Sequence, residues 1–455
     1  MKVNLKPVLI IGTNVPHVFP LPNGQLDVTV DNETSKSRVE KRHQELIRNL
    51  KSDVEFLPPA LIYNKVDVTQ LKKTAGEADI LLVYLSAGID QNGPLEKSVW
   101  EISASTPIIA FSGQCTPMMG MYNLPAEERG FYPNVSYAID YVDIDEQILF
   151  QSIMKRLRST RIVLLGRHDR ETYYWQQMPD PVLARRKMGI EFIPISGTEF
   201  LSMLATLEKS AVEAVTQGWI SNAKAVAEPS DEEIREVAKT YVAMKMLLSQ
   251  TGSQAISVGC LELMYDFNIP AMCFSLAQLR DEGFPAGCEG DAAATLTSVI
   301  LEYLTGKPAY MGNLVHADAA NQLVMISHGC SPAKTAGRDL PPKPYTLVHS
   351  HSVPPFTKTI EGGGVTSYVD YLEDKGQPLT IVRIGANVDR IAAATGELVD
   401  CRDTICDRTT IAIKMKDPKR FVQNTTGNHQ VVVWGDCMED LRNLCRKLKI
   451  SFIES

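Results

Sequence analysis

The chain has no C-x-x-C pair, no excess of positive charge and no long apolar run, and each absence excludes a class of function. Its nine cysteines are odd in number and scattered at positions 115, 260, 273, 288, 330, 401, 406, 437 and 445. A disulfide framework or a sequence-local zinc cluster is therefore not expected, and the cysteines read as reduced, mostly buried thiols. Lys and Arg total 46 against 54 Asp and Glu, a formal net charge of −8. That balance argues against a general nucleic-acid or anionic-membrane binder. No stretch reaches the roughly 18 apolar residues a bilayer span requires. The opening "MKVNLKPVLIIGTN" carries only a short apolar run that breaks at Gly12, so neither signal peptide nor membrane anchor is read and the expected location is the cytoplasm.

What is present is ordinary globular composition, 44% hydrophobic and 22% charged, over 455 residues. A chain of that length exceeds one hydrophobic core and predicts two to four domains. Short apolar runs alternate with amphipathic stretches through the first three quarters, as in parallel sheets covered by helices. "PVLIIG" at 7–12, "ADILLVYLSAG" at 78–88 and "TPIIAFSG" at 106–113 read as buried strands, with the basic run "KSRVEKRHQELIRNLK" as a solvated helix between the first two. A second unit of the same kind starts at "RIVLLG", 161–166, and continues through "AISVGC", "AMCFSL", "PAYMGN" and "QLVMIS" as strand candidates. Within it, Ser230 and Glu233 have the spacing of a capping box. From about residue 340 the segments become β-rich and proline-bounded, "PPKPYTLVHSHSVPPF", "KGQPLTIVRIGANV" and "RTTIAIKM", before a closing helix "MEDLRNLCRKL". The expected architecture is α/β: a parallel-sheet domain at 1–157, a second at 158–342 and an antiparallel or barrel-like C-terminal domain at 343–455.

Chemistry concentrates at "PAGCEGDAAATL", 285–296. Asp291 stands where an N-cap belongs, ahead of a helix that Gly306 closes. Glu289 lies just beyond a candidate strand, on the edge where open α/β sheets bind ligands. The next two strand candidates end in Asn313 and His328, and "QNTTGNHQVVVWGD" delivers His429 from a polar turn of the β-rich domain. A carboxylate, an amide and two imidazoles suit manganese, cobalt, iron or zinc, the oxygen-rich set leaning to manganese. His349 and His351 form an H-x-H pair with no carboxylate near in sequence and are expected to be structural. His316 and Asp318 would be supporting partners behind the ligands.

These motifs resemble the L-fucose isomerase and L-arabinose isomerase superfamily. "CEGDAAATLTSVILEYLTGKPAYMGNLV" is similar to the segment in which a catalytic glutamate opens a helix and a metal-binding carboxylate follows the next strand. "EGGGVTSYVDYLEDKGQPLTIVRIG" is similar to a Gly-rich hairpin of the C-terminal domain, and "GNHQVVVWGDCMEDLRNLCRKLKI" to the segment bearing a metal-binding histidine, here His429. "EGD" with "SHGCSP" resembles the arabinose isomerase pattern, which makes His328 its match. The resemblance covers roughly residues 285–455. It implies two Rossmann-like domains, 1–157 and 158–342, followed by a β-barrel-like domain, 343–455, in a homo-oligomeric, metal-dependent aldose–ketose isomerase of a small-molecule sugar, with Glu289 and Asp291 catalytic, Glu289, Asn313, His328 and His429 around a divalent ion, usually Mn2+, and Asn424 touching substrate.

One departure stands out: both families carry a carboxylate where this chain has Asn313. An amide offers a carbonyl to a metal but cannot move a proton, so Glu289 would act with water, Asp291 or Asp318. The missing anion also makes the site more positive, which favours an anionic sugar, sulfonated or phosphorylated. Two rivals stay open: a relative that epimerises, dehydrates or hydrolyses its sugar, and a non-catalytic sugar-binding protein.

Overall fold

The computed structural model describes residues 2–10, 17–20, 26–29, 32–51, 54–84, 93–111, 134–138, 140–168, 177–350, 364–404 and 408–455. The chain divides into two compact units, Met1–Lys155 and Arg156–Ser455.

The first unit is built on a parallel sheet of Val54–Phe56, Val3–Ile10, Ile80–Tyr84, Ile108–Phe111 and Val135–Ala138, with Ala60–Ile62 also pairing with Val3–Ile10. The period-2 alternation of each strand feeds both faces. Val8, Ile10, Leu81, Val83, Ile108 and Ala110 form one core and Leu5, Leu9, Ile80, Leu82 and Ile109 the other. Burial on both faces explains why these strands read as unbroken apolar runs. The basic run lies on the helix Asn32–Asn49, as its charge pattern predicts.

The second unit begins with another parallel sheet, ordered Glu191–Ile195, Arg161–Leu165, Ala255–Val258, Ala286–Gly287. The capping box at Ser230 and Glu233 opens the helix Asp231–Thr251, which Gly252 ends in a left-handed conformation. A closed antiparallel barrel follows, of Pro378–Ile384, His429–Trp434, Tyr310–Asp318, Leu323–His328, Thr409–Lys414 and Arg390–Arg402, the last pairing with the first. Ala225–Val226, Tyr345–His349 and Val365–Val369 make a separate small sheet. Among the described residues no helix is long and apolar enough to cross a membrane.

Three strand assignments need correction. "PAYMGN" and "QLVMIS", expected as parallel strands of the second α/β domain, pair antiparallel with each other and open the barrel at Tyr310. An apolar run fixes a strand but not its partner or direction. "AMCFSL" is not a strand at all: Cys273–Asp281 is a buried helix. Covered on every side, it loses the polar stripe that would reveal a 3.6-residue period. His351 and the Gly-rich segment 361–363 lie outside the described residues.

Candidate functional site

Three elements of the second unit deliver the site. The short strand Ala286–Gly287 ends in Cys288, and Glu289 follows with φ +54°, the left-handed region that a non-glycine residue enters at a cost of about 1 kcal/mol or more. Gly290 takes the same region at φ +66°, and its N–H bonds to Val258 O at 2.8 Å. This tight double turn, pinned to the neighbouring strand, turns Glu289 out of the sheet edge. His328 ends one barrel strand and His429 begins another.

These three side chains converge, with one ligating atom of each lying within 4.8 Å of the others. His429 Nε2 is 3.5 Å from Glu289 Oε2, and His328 Nε2 is 3.7 Å from Glu289 Oε1. Both are ion-pair distances too long for good hydrogen bonds. Both imidazole Nε2 atoms are buried without a hydrogen-bond partner. An orphaned pair of ring nitrogens facing a carboxylate is costly unless something sits between them, so this donor set fits a divalent cation.

Behind His429 lies a buried charge relay. Asp291 Oδ2 is 3.0 Å from His429 Nδ1, and both its oxygens lie 2.8 Å from Arg383 Nη2. Asp291 is also the N-cap of the helix Ala292–Thr305, accepting from Ala294 N at 3.0 Å. The cap and the site are thus one carboxylate. Arg383 additionally donates to Gln177 Oε1 at 3.1 Å, and Gln177 Nε2 to Thr426 O at 2.5 Å. Glycine is required at 427, because a Cβ there would stand 2.8 Å from Arg383 Nη2.

Electrostatics divide the two imidazoles. Burial disfavours charge on both, and at His328 it prevails, lowering the pKa to about 3. At His429 the hydrogen bond to Asp291 and the charges of Asp291 and Glu289 overcome burial and raise it to about 9. Burial opposes the charge of Glu289 too, but the contact with His429 outweighs it and holds the carboxyl below its ordinary range. Asp291 is held low against its own burial, chiefly by Arg383. The histidines also differ as ligands. With Nδ1 held by Asp291, His429 directs Nε2 at the site. His328 Nδ1 accepts from Cys330 N at 3.2 Å, which leaves the proton of the neutral ring on Nε2.

The other sequence candidates lie at varied distances from this centre. Asn313 is directly opposite His429 in the ladder, yet its amide oxygen accepts from Asn428 Nδ2 at 2.6 Å. Asn424 ends a short helix and donates to Ser455 Oγ. Asp318 caps an exposed turn through Ala320 N and Asn321 N, and His316 is exposed on the same strand. His349 pairs with Glu233 at 3.2 Å. Sequence reading missed Arg383 and Gln177. Arg383 had a signal, a lone charge inside the apolar strand "PLTIVRI"; Gln177 had none.

No family model matches the chain. Curated relatives do: the sulfoquinovose isomerases of Priestia aryabhattai and Priestia megaterium are each 25% identical over 127 residues, 26% of this chain and 28% of theirs. The sulfoquinovose isomerase of a Clostridium species is 23% identical over 220 residues, 47% of this chain and 46% of its own. The matched region thus spans less than half the length of each relative. With the motifs around Glu289, His328 and His429, these matches support placing the chain in the L-fucose and L-arabinose isomerase superfamily.

Proposed function

We propose that the protein is a metal-dependent sugar isomerase that interconverts an anionic aldose and its ketose. The observation that carries this reading is the convergence of Glu289, His328 and His429 with both imidazole Nε2 atoms unsatisfied. Those three residues would hold a divalent ion, manganese by preference, with Asn313 adding its amide oxygen if it releases Asn428. A bound ion would supply Lewis-acid polarisation of the sugar's adjacent carbonyl and hydroxyl oxygens.

The rest of the chemistry belongs to the chain. Aldose–ketose conversion takes a proton from C2 and returns one to C1. Glu289 is the carboxylate at the open edge of the site, and it is held ionised as a base must be. Asp291 is spoken for by Arg383, His429 and the helix cap, so its part is to orient His429 and fix its charge. Asn313 leaves the site one anion short of the related enzymes, which favours a negatively charged substrate. The named substrate of the curated relatives, sulfoquinovose, is an aldose bearing a sulfonate.

The test is kcat/KM for sulfoquinovose against neutral hexoses on manganese-loaded protein. Preference for the sulfonated sugar by about 10-fold or more supports the reading, a discrimination of the size one charge contact provides. Equal rates would remove the anionic-sugar assignment. Epimerised, dehydrated or hydrolysed product would favour altered chemistry on the same site.

A further inference from the structure

A second cluster of ligand atoms adjoins the first along the chain, through Cys288 beside Glu289 and Cys330 near His328, and is made only of sulfur. Of the seven described cysteines, all buried and unbridged, four meet in one place. The sulfurs of Cys273, Cys288 and Cys330 all lie within 4.8 Å of one another, and Cys260 Sγ is 3.4 Å from Cys288 Sγ. They come from four elements far apart in sequence, so no spacing motif announces them.

The surroundings hold this cluster together in three ways. Cys260 and Cys273 are the first residues of the helices Cys260–Phe267 and Cys273–Asp281, which fix the backbone that carries both sulfurs. Arg280, 1% exposed, donates from Nε to Ala286 O at 2.7 Å and from Nη1 to Cys330 O at 2.8 Å. It thereby ties together the two segments that carry Cys288 and Cys330 and leaves a cation beside them. Residue 329 has no side chain, and a Cβ there would stand only 3.4 Å from Cys273 Sγ. The other buried cysteines, 401, 437 and 445, stand outside this group.

We propose that Cys273, Cys288 and Cys330 form a thiolate site for a thiophilic d10 cation, Zn2+ or Cu+, with Cys260 as the adjoining fourth sulfur. Soft thiolates select these ions, whereas the carboxylate and imidazoles at Glu289 suit harder ones. Metal–sulfur bonds of about 2.3 Å place ligand sulfurs roughly 4 Å apart, a small contraction of the cluster. Each metal–sulfur bond replaces an S–H bond whose proton goes to solvent, and nothing is oxidised or reduced. The ion would be structural. Cys288 precedes Glu289 and Cys330 follows His328 by two residues, so a bound ion would fix the backbone presenting both. This site stands independently of the isomerase reading.

The test is X-ray absorption spectroscopy and elemental analysis of full-length protein from cultures supplemented with zinc or copper. About one equivalent per chain, with a sulfur-only shell at about 2.3 Å, is expected; which metal fills it separates the two ions. The Cys330→Ser variant should lose that shell, and His429→Ala should keep it. Wild-type protein with neither metal, or with only nitrogen and oxygen neighbours around it, overturns the proposal whether or not the cysteine variant folds.

Discussion

Glu289 combines a strained backbone, a half-buried position on the sheet edge and two histidine neighbours. Replacing it with Gln preserves shape and leaves the turn unchanged but removes the base. Turnover should fall by about 10²- to 10⁴-fold with the thermal midpoint unchanged; near-wild-type activity would end its catalytic assignment. The two imidazoles should behave unequally. His429, already oriented by Asp291, should be indispensable, so His429→Ala abolishes manganese binding by isothermal titration. His328→Ala should weaken it less, because His328 must exchange its bond from Cys330 N before ligating. The reverse order would contradict the tautomers assigned from these contacts. Arg383 is completely buried against Asp291, and Arg383→Met leaves that buried carboxylate with only His429 and the cap N–H of Ala294. A loss of about 3–5 kcal/mol in urea denaturation is expected, as for other broken buried pairs.

The helix Ala292–Thr305 shows how one element joins fold and site, because its cap is the residue that orients His429. Asn can cap but cannot carry charge, and Ala can do neither. Asp291→Ala should therefore be less stable than Asp291→Asn by about 1 kcal/mol, while both should lose metal affinity by about 10- to 100-fold. Equal stability of the two variants would separate the cap from the fold. This helix was legible in the sequence: Asp291 before a run of small helix formers and Gly306 after it are local signals. The parallel strands were legible for the same reason, as apolar runs between turn residues. The barrel direction of Tyr310–Asp318 was not, since antiparallel pairing with His429–Trp434 is decided by residues more than a hundred positions away. The helix Cys273–Asp281 was misread because full burial erases amphipathicity. Glu289, His328 and His429 could be picked out because polar residues at the ends of apolar segments are conspicuous. Arg383 and Gln177 were overlooked because their partners are set by tertiary contact alone.

At the scale of the whole molecule, the second unit carries buried carboxyls whose stability effect runs opposite to the usual one. Burial raises Glu302 to about 7 despite its pairing with Arg338, and Asp281 to about 6. For an acid raised in the folded state, the folded chain binds more protons than the unfolded one between the two pKa values. Its contribution is full below about pH 4 and is lost as the pH rises through the folded value. For Glu302 this amounts to about 3 kcal/mol. A Glu302→Gln variant, fixed in the neutral form, should gain on the wild type between pH 5 and pH 8 in urea denaturation; a constant difference would refute the raised value. The same unit holds the proposed isomerase centre, and one experiment reaches that claim most directly. Manganese-loaded protein is incubated with sulfoquinovose in deuterated water and followed by proton NMR. The isomerase reading predicts a ketose product with deuterium entering at C1 or C2, both absent in Glu289→Gln. Unchanged aldose with no exchange, in protein that has demonstrably bound its metal, would contradict it.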